Sequence, residues 1–113
     1  MNTQPKQIPY VELTGFKKNL IKLIIQKTIE ILGVIDHKTY NRKHSEKRQV
    51  VIYLLLSRFT DYKTTHELAG DVFGLDHSTA AYSNKRITDL VSIDPKLKTK
   101  INLIEWNVRQ IIS

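Results

Sequence analysis

Four short polar side chains in a row, Asp76-His77-Ser78-Thr79, follow closely on the glycine at position 74. Glycine accepts the positive φ that a sharp turn demands, and beyond the polar run the pattern is helical. Hydrogen-bonding groups are thereby presented at the N-terminus of a helix. The imidazole of His77 can donate to or accept from a purine edge. The Ser78 and Thr79 hydroxyls can do the same, and the threonine methyl can meet a thymine methyl. Asp76 can accept from a cytosine or adenine amino group, or simply cap the helix. The N–H groups of such a helix end also favour a phosphate. Lys85 and Arg86, about two turns further on, are placed to grip a flanking phosphate. The pattern suits a helix end that enters a DNA major groove.

Contacts to phosphate would have to set the register of such a helix. Lys47, Arg48 and Gln49 open an earlier predicted helix, where cations run against the macrodipole. A tolerated local cost points to function, although a solvated charge cluster is the ordinary explanation. Arg42 and Lys43, in the loop before that helix, could reach the backbone or a narrow minor groove.

The elements that must position these residues are helical throughout. Residues 1–13 carry Pro5 and Pro9 and no periodic apolar face, and read as a flexible tail. From about residue 14 to residue 113 the chain reads as one helical domain. Ile21, Ile25, Thr28 and Leu32 form a stripe, widened by Leu20, Ile24 and Ile31, that ends at Gly33. Residues 36–45 are a polar, basic loop with Ser45 as an N-cap. A second helix is predicted from Glu46 to Phe59. Its centre, residues 50–56, is apolar on every side and could by periodicity be a buried strand. Charged flanks and a cap favour a buried central helix.

Thr64 and Glu67 match a capping box that opens a short third helix. The fourth starts at Asp76 or His77 and runs to about Val91, with Ala80, Ile87, Leu90 and Val91 inward. Asp94-Pro95 caps a last helix bearing Leu97, Ile101, Ile104, Val108 and Ile111. Trp106 reads as core. The predicted class is all-α: about five helices with a central helix-turn-helix, whose second helix would read the groove.

Composition agrees with this reading. The chain has 113 residues, with 18 Lys+Arg against 11 Asp+Glu and a formal net charge of +7. A basic domain of this size is an electrostatic candidate for a polyanion. It has no cysteine, which excludes disulfides, Cys-based zinc sites and thiol nucleophiles. The longest apolar run falls far short of the ~20 residues a bilayer requires, and residues 1–10 carry no secretory signal. A cytoplasmic, nucleoid-associated location is expected, with no membrane partner.

From about Ile24 onward the chain resembles the C-terminal DNA-binding domain (domain IV) of the bacterial replication initiator DnaA, which is Trp-repressor-like. The resemblance is carried by Ile25-Gln26-Lys27-Thr28-Ile29, by Lys47-Arg48-Gln49, and by Glu67-Leu68 followed at the family spacing by Asp76-His77-Ser78-Thr79 and Lys85-Arg86-Ile87. It implies that Asp76, His77 and Ser78 read bases, with Thr79 supporting the same surface. It implies that Arg48 and Gln49 contact the backbone or a base, and that Arg42 or Lys43 reaches the minor groove. The family target is a nonameric box at an origin or promoter. The turn departs from the family's Phe-Gly-Gly-Arg: here it reads Val72-Phe73-Gly74-Leu75, and Ala69 replaces a glycine. No phosphate-binding Gly-x-x-x-x-Gly-Lys-Ser/Thr loop is present, so replication or transcription would be regulated without an ATPase of its own.

Other chemistries are less well served. The spacings of His37, His44, His66 and His77 match no ligand motif, so no metal and no cofactor is expected. Ser78 and His77, adjacent on a helix end, do not aim at one another, and the chain is not expected to be an enzyme. The alternative is a helical protein-interaction module with incidental DNA affinity, as a homodimer or bound to a replication protein. Half-buried first and last helices would favour the homodimer.

Overall fold

The computed structural model describes residues 15–35 and 42–112. The predicted N-terminal tail, and residues 36–41 of the predicted loop, lie outside them. Five α-helices follow in order: α1 (Phe16–Leu32), α2 (Arg42–Tyr53), α3 (His66–Asp71), α4 (His77–Ile93) and α5 (Pro95–Ile112). No strand occurs among the described residues. No helix among them is long and apolar enough to cross a membrane.

The core is built around α2. Val50, Val51 and Ile52 near its C-terminus, and Leu54 and Leu55 just beyond it, are fully buried, as expected for a run with no polar face. Leu20, Ile21 and Ile24 of α1 and Leu97, Ile101, Ile104 and Val108 of α5 close over it. Each buried aliphatic side chain contributes about 1.5–3 kcal/mol, more than the ~1 kcal/mol of a good cap. This explains how α1 persists with no side-chain cap bond at Gly15. Its C-terminus stops at Gly33, whose N–H donates to the Ile29 carbonyl at 2.8 Å.

Several boundaries differ from the sequence reading. α2 begins at Arg42 rather than Glu46, so Ser45 sits inside the helix and is not its cap. Arg42 and Lys43 therefore belong to the first turn of α2 rather than to a loop, and their side chains lie outside what is described. Lys47 and Arg48 fall in the second turn, where the dipole penalty has already faded.

α2 does not run regularly to Phe59. A π turn, Leu54–Arg58, follows it, closed by the Phe59 N–H donating to the Leu54 carbonyl at 2.8 Å. A 3₁₀ turn, Thr60–Tyr62, completes the corner. The N-cap of α3 is Thr65, whose hydroxyl accepts from the Leu68 N–H at 3.1 Å. Glu67 is then one position too early for the reciprocal bond of a capping box. The Thr64 hydroxyl is left without a partner among the described residues. At the far end Ile111 and Trp106 are exposed, not core. The Asp94 cap of α5 is present, with Oδ1 accepting from the Lys96 and Leu97 amides at 3.1 and 3.2 Å.

Candidate nucleic-acid interface

α3, the turn at residues 72–76 and α4 form the helix, turn and helix anticipated from Gly74. Gly74 has φ 69°, which any other L-residue would adopt only at a cost. A second glycine sets the approach of the two helices. Gly70 is buried, and a Cβ there would meet the Leu75 carbonyl oxygen at 2.6 Å and that of Asp76 at 2.7 Å. Its own carbonyl accepts from the N–H groups of Phe73 (3.0 Å) and Leu75 (2.9 Å). Phe73 and Leu75 are partly buried and pack against the core. The turn that aims α4 is thus anchored by apolar burial.

At the start of α4, Asp76 has the extended backbone of an N-cap (φ −81°, ψ 173°). Its Oδ1 accepts from the Thr79 N–H at 2.7 Å. The Thr79 amide and hydroxyl hold the Asp76 carboxyl below the usual aspartate range, with smaller help from His77 and the Ser78 amide. Asp76 is therefore an ionised cap. His77 and Ser78 stand exposed, and Thr79 is half-buried. The Thr79 carbonyl accepts from the Ser83 hydroxyl at 2.8 Å.

α4 packs against α2 as well as α3. Between α2 and the start of α4 lies a cleft of about 210 Å³ lined by Ser45, Arg48, Gln49, Leu75, Thr79 and Ser83. The structure thus brings Arg48 and Gln49 to the side of Thr79. Arg48 is only 9% exposed, and its Nη2 donates to the Ser45 hydroxyl at 3.1 Å. Lys47 is not part of this cleft. Its Nζ donates to the Val34 carbonyl at 3.0 Å, just beyond the C-terminus of α1, where a cation is favoured.

On the outer face of α4, Lys85 is widely exposed, with Asp89 at 3.6 Å. A solvated pair of this kind contributes little. Arg86 turns the other way, toward α2. Its Nη1 donates to the Gln49 Oε1 at 3.1 Å and lies 3.7 Å from the Glu46 Oε2.

Two residues at this surface escaped the sequence reading. Tyr82 is exposed and shares a shallow hollow with Lys85, Arg86 and Asp89. Its position four residues after Ser78, on the same face of a helix, was an available signal. Glu46 is an acid among cations, three residues before Gln49. No group of three or more potential metal ligands occurs among the described residues. Comparison of the chain with family models, curated proteins and solved structures finds no match.

Proposed function

We propose that this protein binds double-stranded DNA in a sequence-dependent manner, with α4 as the recognition helix of a Trp-repressor-like helix-turn-helix. In this reading it occupies boxes of the kind the DnaA domain IV recognises. It would act on replication or transcription without catalysing a reaction. One observation carries the proposal. The capped end of α4 presents His77 and Ser78 to solvent beside a cleft edged by Arg48 and Gln49. Side chains at the N-terminus of such a helix meet base edges, and neighbouring cations fix the register. The net charge of +7 supplies the long-range attraction.

The test is a binding titration with duplexes carrying a nonameric initiator box and with scrambled duplexes, over a salt series. The expected result is a gap of roughly 4 kcal/mol or more between the two, persisting as non-specific affinity collapses with salt. Equal affinities at every salt concentration would overturn specific readout. The rival, a helical protein-interaction module, is favoured by a separate observation: Leu103 and Trp106 lie exposed one turn apart on α5. Under that reading a homodimer or a protein partner covers α5, and substitutions at the α4 tip leave function intact.

A further inference from the structure

We infer that Arg86 is a positioning residue for Gln49, fixing the direction in which the Gln49 carboxamide meets DNA. The inference rests on the DNA-binding reading above. An arginine side chain carries donors and no acceptor, whereas a carboxamide carries one acceptor oxygen and one NH₂. The 3.1 Å bond from the Arg86 Nη1 holds the Gln49 oxygen toward Arg86 through one of its two lone pairs, and the NH₂ is therefore turned away from Arg86. Glu46, 3.7 Å away on α2, neutralises Arg86 from the same helix that carries Gln49. With Glu46, Gln49 and Arg86 each partly withdrawn from water, the three form a link between α2 and α4 beside the cleft.

The consequence is a restriction on recognition. A freely turning glutamine pairs with adenine through both its oxygen and its NH₂. Gln49 held in this way presents its NH₂ in one fixed direction, to a phosphate oxygen, a guanine O6 or N7, or a thymine O4, and its oxygen can accept from an adenine amino group only through the lone pair that Arg86 leaves. Arg86, whose charge is already met by Glu46, acts through Gln49 and makes no phosphate contact of its own.

The test is a double-mutant cycle on the duplex that the wild-type protein enriches most strongly from a random pool, measured over a salt series. Gln49→Ala and Arg86→Met are each expected to weaken binding about tenfold. The double variant should be no weaker than the worse single one. The dependence of log affinity on log salt should be unchanged in Arg86→Met, and Arg86→Lys, which can donate to the same oxygen, should recover part of the loss. Losses that multiply to about a hundredfold, with a salt slope shallower by about 0.9, would make Arg86 a direct phosphate contact and overturn the inference.

Side-chain amide resonances of Gln49 in the free protein give a readout independent of DNA. They should shift in Arg86→Met, and an unchanged position overturns the pairing. If the wild-type protein enriches no sequence while the amide shift is present, the DNA-binding reading fails and the DNA-facing role of Gln49 fails with it. The Arg86–Gln49 pairing then stands on its own.

Discussion

His77 and Ser78 stand in solvent at the first two positions of α4, while their neighbours on either side are engaged. Asp76 holds the helix end and Thr79 provides the amide it holds. The run of four polar residues therefore divides into two that can be exchanged freely and two that also build the helix. This division selects the cleaner experiment. His77→Ala with Ser78→Ala should leave the melting temperature nearly unchanged. It should cost ~1–3 kcal/mol per lost base contact and relax the preferred sequence. Loss of affinity with an unaltered preference would show that neither side chain reads a base. No effect on function at all would favour the protein-interaction module. The residue types at positions 76–79 were legible as a possible reading end from their chemistry. Their division of labour was not, because it depends on which amide lies within reach of which carboxylate.

At the scale of elements, the angle between α3 and α4 is set where two backbones nearly touch. Gly70 leaves room for the carbonyls of Leu75 and Asp76, and neither carbonyl can retreat without moving the start of α4. Gly70→Ala is accordingly expected to destabilise the fold by about 1–3 kcal/mol, as read from a urea midpoint at unchanged m-value. It should also lower DNA affinity more than a surface alanine would, because α4 is re-aimed. An unshifted midpoint would mean that the turn yields easily. Gly74 was recognisable from its place between two helical patterns. Gly70 was not, since a glycine inside a helix is usually only a weak spot, and its partners become neighbours only when the turn closes. The offset from Thr64 to Thr65 at the start of α3 has a similar cause. Both residues can cap, and the tertiary path of the corner after Phe59 selects between them.

The molecule as a whole is held by a core wrapped around α2 and by one polar clamp at the opposite end of that element's path. Arg58, at the end of the π turn, donates to the Tyr53 hydroxyl (2.9 Å), to the Asn102 Oδ1 (2.8 Å) and to the Glu105 Oε1 (2.8 Å). Arg109 donates to the Glu105 Oε2 at 2.9 Å and to the Arg58 carbonyl at 2.7 Å, with its guanidinium over the Phe59 ring. Burial works against ionised Glu105, but the bonds from Arg58 and Arg109 outweigh it and hold the carboxyl below its ordinary value of 4.5. Burial likewise works against the Arg58 cation, and the bonds to Glu105 and Tyr53 outweigh it, leaving Arg58 more basic than usual.

A carboxyl depressed in the folded state contributes stability that is complete above its unfolded pKa. That contribution is lost as pH falls through the lower, folded value. Glu105→Gln should therefore cost about 1–3 kcal/mol at neutral pH, measured by urea denaturation. The difference from wild type should shrink steadily below about pH 4.5. A difference independent of pH would assign the loss to packing rather than to charge.

The sequence by itself determined the all-helical class, the buried character of α2, the glycine turn and the chemistry offered at the start of α4. These depend on periodicity, on local capping and on side-chain type, all of which act within a few residues. Only the tertiary structure decided that α2 begins at Arg42 and ends in a π turn, that Trp106 and Ile111 face outward, and that Lys47 serves α1. The same is true of Arg86, which lies 37 residues from Gln49 and comes within hydrogen-bonding reach only because α4 packs across α2. Contacts of that range follow from how helix faces are buried against one another, and no spacing along the chain encodes them.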